Sequence, residues 1–450
     1  MKQSNKPSTI RKLPFFFSPL FFGVFGSASA ILTFVYVYYP AGIQVPLIVD
    51  GIILFLAVLD FLLCPPPSQI RLERTLPYPL AVDQPNDIAI EIANLTGSAV
   101  SLIVKDDVPR PCRCEPVRIV TTASPGSGNR ASYKITPLER GNGEFGDIHF
   151  WVRGPLGLIW RRGVSPAAAT VKLYPGLAAI REQRLRVWRP IVSDIVRTRW
   201  KKGVGTEFDS LREYAVGDDS RLIHWSTSAR KGKLVVRQNR MERSQIVFLV
   251  LDAGRMMSAR VLGKTKLDHG LNAALLLAYS ALELGDKVGV MAVAQDILCF
   301  LPPASYSRQF GRILDATYAL KPTMEEPRFH LALATVAARL RRRALVIVFT
   351  DLIDERASEG LLRYSVGLLP RHLPLVVAMS DTEVIDLADA TPRTEQDLYR
   401  QGVAAGMLER RERLMARLSS LSVLVMDTPP EKISVDVLDQ YLEIKARNLL

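Results

Sequence analysis

Cysteine is scarce in this sequence, with four residues in a chain of 450. So few cysteines do not make a disulfide framework in a chain this long. Cys112 and Cys114 form a C-x-C pair, but no further ligand follows at metal-ligand spacing. This spacing predicts a plain loop there rather than a metal site. The cysteine usage is compatible with a reducing cytosol.

Catalytic motifs are also missing. The chain contains no phosphate-binding loop of the G-x-x-x-x-G-K-S/T kind and no Rossmann glycine fingerprint. His224, His269, His330 and His372 show no local metal-ligand pattern, and no serine or cysteine nucleophile motif surrounds His224. These absences predict a protein that is not an enzyme and that needs no cofactor.

Acidic residues are outnumbered, since 58 lysines and arginines stand against 45 acids and give a formal net charge of +13. Such a balance favours an acidic partner, an anionic membrane surface or nucleic acid. No basic repeat, aromatic RNP run or finger accompanies the charge, so nucleic acid is not a predicted partner. The basic segment Arg181–Lys202 either lies against anionic lipid headgroups or is a connector whose apolar side packs on the following domain.

Two long apolar runs lie near the start of the chain. Phe15–Tyr39 contains no charged residue, and Ile43–Leu63 follows after a short turn. Each run is long enough for a transmembrane helix, which needs ~20 apolar residues. Lysines and arginines precede the first run and follow the second, and the turn between them has none. This distribution predicts a transmembrane hairpin with both ends in the cytoplasm.

Two acids interrupt the second run. Asp50 is expected well inside the bilayer, where a carboxylate costs at least about 2–3 kcal/mol. It is either protonated and hydrogen-bonded to the first helix, or it serves as a contact with another membrane protein or as a proton relay. Asp60 is expected nearer the cytoplasmic interface, where it reaches water.

Between Ile70 and Leu173 the pattern changes to short alternating runs. Asp87–Ala93 alternates apolar and polar residues, and Val100–Val104, Ala131–Ile135 and Asp147–Val152 are further strand candidates. Glycine, proline, asparagine and serine separate the runs. This arrangement predicts a small β-sandwich that serves as a spacer or binding module.

From Gln245 onward predicted strands and helices alternate. Ile246–Leu251 is a continuous apolar run, which indicates a strand buried on both faces. Leu267–Leu284 has the apolar spacing of a helix. The alternation predicts an α/β domain with a mostly parallel sheet and helices on both faces. Asp252 and Asp351 follow two of the strands, where such sheets bind ligands.

The stretch Gly203–Arg237, here named the charged signature, is dense in charge but carries large apolar residues at intervals. Its acids and arginines could pair with one another beneath its aromatic side chains and form a polar hairpin. Alternatively, the stretch is an exposed recognition surface. The spacing favours the first interpretation. The candidate partner-binding residues are Arg212, Glu213, Tyr214, Gly217, Asp218, Arg221, Trp225 and Arg230.

Short motifs recur through the charged signature in a fixed order: G-T-E-F at 205–208, L-R-E-Y at 211–214, G-D-D-S-R at 217–221, I-H-W at 223–225, S-A-R at 228–230 and G-K-L-V at 232–235. This run resembles the family catalogued as domain of unknown function 58. The resemblance extends over most of the chain and includes the Pro-Leu-Gly turn at 155–157. Many members have an acid before that turn, where this chain has Gly154.

The family resemblance implies a von Willebrand factor A-like (Rossmann-like) domain and a MoxR-type AAA+ ATPase encoded nearby. In von Willebrand factor A domains, an Asp-x-Ser-x-Ser loop, a separate threonine and a later aspartate hold Mg²⁺. The corresponding positions here are degenerate, because Gly254 and Met256 stand where the two serines would be. The matching acids are Asp252 and Asp351.

Other side chains near these positions do not restore the metal site. Ser258 comes two places late, and Thr323 is the candidate for the separate threonine. Arg255 adds a cation where the dication would sit. Because Mg²⁺ requires hard oxygen ligands in near-octahedral geometry, too few ligands remain, and no tight metal site is expected.

These observations predict a multi-pass protein of the plasma (inner) membrane with both termini and its soluble domains in the cytoplasm. Its expected domains are the membrane hairpin (1–64), the β-sandwich (65–178), a connector with the charged signature (179–240) and the α/β domain (241–450). The predicted function is a non-enzymatic adaptor for the ATPase that the family resemblance implies, acting on envelope or metalloprotein complexes. Its expected partners also include other membrane proteins and anionic lipid headgroups. The alternatives are a metal-dependent hydrolase or transferase and a lipid- or cell-wall-binding module.

Overall fold

The computed structural model describes residues 15–38, 44–126, 128–176, 207–215, 220–240, 245–305, 308–352, 355–447 and 449. The chain divides into two compact units, Met1–Gly176 and Leu177–Leu450. The predicted basic connector, Arg181–Lys202, lies outside the described residues.

The first unit contains two helices and sheets that are antiparallel except for the pair β3–β12. The helices are α1 (Pro19–Tyr38) and α2 (Gln44–Leu63), which contact each other. The strands are β1 (Phe15–Phe17), β2 (Ile70–Thr75), β3 (Leu80–Ala81), β4 (Asn86–Asn94), β5 (Val100–Asp106), β6 (Cys112–Glu115), β7 (Ile119–Ala123), β8 (Gly128–Pro137), β9 (Gly141–Phe145), β10 (Ile148–Arg153), β11 (Ile159–Ser165) and β12 (Ala169–Tyr174).

The predicted hairpin is present as two helices, but their start differs from the prediction. Phe15–Phe17 forms β1, which pairs antiparallel with β11, so α1 begins at Pro19 rather than at Phe15. Within the described residues, one helical segment, Ile48–Gln69, is long and apolar enough to cross a membrane, judged by length and composition. Pro19–Phe34 is a shorter apolar helix by the same measure. A membrane crossing by both helices therefore stays a prediction.

Two larger sheets of the first unit share one hydrophobic core. The five-stranded sheet has the order β1-β11-β10-β5-β7, and the four-stranded sheet has the order β2-β4-β8-β6. Ile88, Ile90 and Ile92 of β4 are fully buried, as the alternation predicts, and pack in one cluster with Leu102 of β5 and Phe150 of β10. A third sheet has the order β3-β12-β9.

The prediction of a plain loop around Cys112 and Cys114 was wrong. These residues form β6, which extends the four-stranded sheet by pairing with β8. A short run with little apolar content does not reveal a strand, because the partner that stabilises it lies more than twenty residues later in the chain. Both cysteines are free thiols and are partly buried.

The second unit contains the remaining elements. Its strands are β13 (Glu207–Glu213), β14 (Val235–Arg240), β15 (Ile246–Asp252), β16 (Arg260–Val261), β17 (Lys264–Thr265), β18 (Lys287–Val293), β19 (Ile297–Ala304), β20 (Ala344–Thr350), β21 (Leu373–Met379) and β22 (Leu424–Thr428). Its helices are α3 (Trp225–Lys231), α4 (Lys266–Glu283), α5 (Gln309–Thr317), α6 (Phe329–Arg339), α7 (Glu355–Leu368), α8 (Thr382–Asp389), α9 (Glu395–Ser420) and α10 (Ile433–Ala446).

The central sheet of this unit has the order β19-β18-β15-β20-β21-β22. All neighbours are parallel except the pair β18–β19. Numbered along the sheet's own strands, this is the doubly wound order 3-2-1-4-5-6, whose reversal falls between β15 and β20. The predicted mostly parallel sheet is confirmed, and β15, β18, β20 and β21 are buried almost throughout.

Helices cover the central sheet. Side chains of α6, α7 and α9 pack in one cluster with Phe248, Val250, Val346 and Val348 of the strands. Helices α4 and α10 contact each other, and α4 contacts β15. The short helix α8 was not predicted, because its polar sequence has no apolar face long enough to identify; the Asp381 side chain caps it by accepting from the N–H of Glu383.

Candidate functional site

Asp252 and Asp351 lie at the reversal point of the central sheet. Asp252 is the last residue of β15, and Asp351 directly follows β20. The two strands are neighbours in parallel register, with Leu251 opposite Phe349. The carboxyl ends of adjacent parallel strands meet at one edge, so the two acids are brought together as the sequence predicts. Both acids are buried.

Two cations occupy the oxygens of Asp351. The ammonium of Lys266 donates to Oδ2 at 2.7 Å, and the guanidinium of Arg411 donates to Oδ1 at 2.7 Å. Lys266 also lies 3.3 Å from Asp381, and Arg411 donates to Asp427 at 2.7 Å. We name these five residues the strand-end ion cluster. The side chains of Asp351, Lys266 and Arg411 are almost completely buried, so water screens their charges little.

Local structure places Lys266 in this cluster. Thr265 and Asp268 form a capping box in which each side chain accepts from the backbone N–H of the other residue, so α4 starts at Lys266. A cation in the first turn of a helix is disfavoured by the helix dipole. The buried Asp351 carboxylate offsets this cost, since a buried charge requires a paired, hydrogen-bonded partner.

Asp252 is held by uncharged donors. Its Oδ1 accepts from the N–H of Gly254 and its Oδ2 accepts from the hydroxyl of Thr350, each at 2.7 Å. Burial is the main cause that raises the pKa of Asp252 to about 6, and the nearby Asp351 carboxylate raises it further. The two hydrogen bonds act in the opposite direction and keep the increase moderate.

This pKa predicts a pH-dependent stability. The folded state binds the Asp252 proton more tightly than the unfolded chain, whose aspartate pKa is about 3.9. Stability from this group is therefore largest below about pH 4 and falls by about 2–3 kcal/mol as the pH rises to about 6. We expect Asp252→Asn to flatten this part of the profile, measured by thermal melting between pH 4 and 7. Identical profiles for the two proteins would contradict the assignment.

The oxygen atoms at this edge are not arranged as ligands for a Mg²⁺ ion. Both oxygens of Asp351 are bonded to cations, and both oxygens of Asp252 accept hydrogen bonds. Thr323 lies close by, with its hydroxyl 3.2 Å from the carbonyl oxygen of Ala253, whereas Ser258 donates to Arg255 within its own turn. Among the described residues, no group of three or more His, Cys, Asp or Glu could hold a metal ion. A dication would have to displace Lys266 and Arg411.

The side chain of Arg255 is half exposed and lies 3.9 Å from Glu326, and its expected role at the strand ends stays a prediction. The cations that bind Asp351 are Lys266 and Arg411, and neither was predicted from the sequence. The capping box before Lys266 marks the helix start but not its ionic partner. Arg411 lies sixty residues after Asp351 and carries no local signal.

The charged signature forms a hairpin and a short helix. Strands β13 and β14 pair antiparallel, and α3 lies between them in the chain. The buried Ser228 hydroxyl accepts from the N–H of Val235 at 2.9 Å and ties α3 to β14. Among the described residues, Glu213 pairs with Lys233 at 3.2 Å rather than with an arginine of the signature, and both side chains are exposed. Gly217 and Asp218, together with the side chain of Arg221, lie outside the described residues.

Trp225 begins α3 and leaves 68% of its surface exposed. The predicted ion pairs beneath it involve residues outside the described part of the signature, so that interpretation stays a prediction. Arg230 and Arg212 are also exposed, and Arg212 donates to the carbonyl oxygen of Glu213 at 3.2 Å. Tyr214 is half-buried. The described part of the signature therefore exposes an aromatic side chain and two arginines.

The two acids of α2 have different surroundings. Asp50 accepts from the Ser29 hydroxyl of α1 at 3.2 Å, so the expected contact with the first helix is present. The expectation that Asp60 reaches water was wrong. Asp60 is completely buried and accepts from the backbone N–H groups of Leu156, Leu158 and Ile159 at 2.7, 2.8 and 2.9 Å.

The fold and the strand-end geometry define an α/β protein with a doubly wound sheet, in which internal cations neutralise Asp351 and uncharged donors hold Asp252. Residues 210–392 match the family model described as "Protein of unknown function DUF58". The resemblance drawn from the motifs is thereby confirmed, although the match spans 210–392 rather than most of the chain. A comparison with curated proteins finds no match.

Several solved structures resemble the chain at low identity. The SpRpn10 VWA domain is 12% identical, with 44% of this chain and 94% of that chain covered and a TM-score of 0.28. Conserved hypothetical protein BatB from Bacteroides thetaiotaomicron is 15% identical, with 45% and 99% covered and a TM-score of 0.31. An aerotolerance-related membrane protein from Bacteroides fragilis NCTC 9343 is 13% identical, with 44% and 98% covered and a TM-score of 0.29. At such scores the strand order, rather than these likenesses, defines the fold.

Proposed function

We propose that this protein is a non-enzymatic adaptor anchored in the plasma (inner) membrane by its helical hairpin. Its chain ends and soluble units would lie in the cytoplasm. The observation that carries the proposal is the strand-end ion cluster: Lys266 and Arg411 already neutralise Asp351 within the chain. An α/β domain in which Asp351 is already paired with two internal cations is suited to protein contacts rather than to metal-dependent chemistry.

The first unit would be a β-sandwich that serves as a spacer or binding module. Two sheets that share one hydrophobic core support this assignment. Helix α2 has the length and composition of a membrane span. The anchor, the spacer and the α/β domain together suit a protein that holds a cytoplasmic partner near the bilayer.

The charged signature would be the contact surface. Trp225 is 68% exposed, and tryptophan and arginine are enriched at the energetic centres of interfaces. The expected partner is acidic there, given the exposed Arg212 and Arg230. From the family resemblance, we propose a MoxR-type AAA+ ATPase as this partner and envelope or metalloprotein complexes as the objects of its action.

Affinity purification of the tagged full chain in mild detergent tests this function, with and without a non-hydrolysable ATP analogue. We expect an AAA+ ATPase to be recovered, and Trp225→Ser to lower its recovery about tenfold or more. Thermal melting should change little, because substitution of an exposed side chain alters stability by about 0.5 kcal/mol or less. Tyr399→Ser, at another exposed aromatic residue of the same unit, is the matched control and should retain the partner.

Two results would oppose the adaptor. One is the absence of an ATPase with every nucleotide. The other is Mg²⁺-dependent hydrolase or transferase turnover that Asp252→Ala and Asp351→Ala each abolish in folded protein, which would place chemistry at the strand ends.

A further inference from the structure

The turn between β10 and β11 holds an acid of the helical hairpin. Three backbone donors, the N–H groups of Leu156, Leu158 and Ile159, point at the Asp60 carboxylate within 2.9 Å. Gly154 leaves the space for this carboxylate, because a Cβ built on Gly154 would collide with it. The turn therefore closes around a residue of α2 rather than lying free in solvent.

The depth of Asp60 along α2 fixes the depth of this turn. The helix has 20 residues and a length of ~30 Å, which equals the thickness of a hydrocarbon core. Asp60 stands three residues before the last residue, Leu63, which places it ~4–5 Å inside the end of the helix. If α2 crosses the bilayer, as the proposed function requires, the turn must reach the boundary of the hydrocarbon region to contact Asp60.

Two further attachments keep the turn at this depth. Strand β1, which leads into α1, pairs with the start of β11, and the N–H of Ser18 donates to the carbonyl oxygen of Leu158 at 2.8 Å. On the α2 side, the Arg161 guanidinium lies 4.3 Å from the centre of the Phe61 ring and donates to the carbonyl oxygen of Cys64 at 2.7 Å. Both helices are thus joined to the same edge of the five-stranded sheet.

Apolar side chains are exposed at this edge. Leu156 at the tip of the turn is 47% exposed, and Phe16 of β1 is 43% exposed. They continue the exposed apolar surface of the helices, which includes Leu20 and Phe22. Backbone N–H groups near hydrocarbon need acceptors within the protein. The Asp60 carboxylate accepts from three N–H groups of this turn.

We propose that the β10–β11 turn is a membrane-contacting element, with Leu156 and Phe16 inserted among lipid chains just below the headgroups. The first unit is then partly sunk into the bilayer surface rather than held away from it by a linker. This inference rests on the proposed membrane anchoring by α2. The partner of this surface is lipid, because the turn is tied at a depth that the bilayer occupies.

Photocrosslinking of the full chain in nanodiscs of phosphatidylethanolamine and phosphatidylglycerol tests the proposal. The photoreactive residue p-benzoylphenylalanine replaces Leu156 in one protein and Phe16 in a second, and lipid adducts are read by mass spectrometry. Phe55, exposed in the middle of α2, is the position that reports membrane insertion. Val120 is the negative control, because it is exposed on β7, at the opposite edge of the same sheet and ~19 Å from β1.

We expect lipid adducts at positions 55, 156 and 16 and none at 120. Adducts at 55 with none at either 156 or 16 would overturn the inference while leaving the membrane anchor in place. Adducts from 156 and 16 to protein instead of lipid would overturn it as well and would identify a membrane-protein partner. A lack of adducts at 55 would contradict the anchoring itself.

Discussion

Replacement of Lys266 by methionine is expected to destabilise the α/β domain by about 3–5 kcal/mol, the cost of breaking a buried ion pair by removing one partner. The Lys266 ammonium is 1% exposed and lies 2.7 Å from a fully buried Asp351 carboxylate. Methionine has a similar length but no charge, so Asp351 would keep a single cation, Arg411, and one oxygen would lose its donor. Hydrogen exchange of the β20 amides in the full chain measures the loss.

The matched control is Arg413→Met on α9. Arg413 also forms an ion pair, at 3.9 Å from Glu409, but both side chains are more than half exposed. Such a pair contributes about 0–1 kcal/mol, so this variant should exchange like the parent. In the double variant Lys266→Met with Asp351→Asn, part of the stability should return, since the orphaned charge is gone. Equal effects of Lys266→Met and Arg413→Met would show that the buried ion pair contributes no more to stability than the exposed one.

Asp60→Ala is expected to release the turn that follows β10. Three backbone N–H groups would lose their acceptor, and an unsatisfied buried donor costs about 1–3 kcal/mol. We expect a loss of about 3 kcal/mol or more, seen as roughly 100-fold faster hydrogen exchange at Leu156, Leu158 and Ile159.

Asp50→Ala is the control on the same helix. Asp50 accepts a single hydroxyl group, that of Ser29, at 3.2 Å, and its removal should leave the turn's amides protected. Rapid exchange in both variants, or in neither, would contradict the role assigned to Asp60.

Gly154 allows a more specific version of this test. Gly154→Asp alone should be destabilising, because its side chain would collide with the Asp60 carboxylate. In the Asp60→Ala background the same substitution should restore part of the lost protection, since an aspartate can accept from the N–H group two residues later, here Leu156. The double variant asks whether either acid can hold the turn.

The prediction of the α/β domain succeeded because its signal is local. Ile246–Leu251 is apolar throughout, which is what a strand covered on both faces requires, and the 3.6-residue spacing of Leu267–Leu284 predicts the helix that follows. Strand-end placement of Asp252 and Asp351 then follows from the ends of two such runs. By contrast, β6 carries little apolar content and was missed, because its stability comes from pairing with β8.

The sequence by itself determined which residues form the buried strands and apolar helices, and that Asp252 and Asp351 follow two of those strands. Only the tertiary structure decided which groups bind the Asp351 carboxylate and where Asp60 points. Lys266 and Arg411 reach Asp351 from 85 and 60 residues away, and Asp60 reaches its three donors from 96 to 99 residues away. Periodicity and spacing report neighbours along the chain, whereas a buried charge selects its partners through space, where desolvation makes an unpaired group costly.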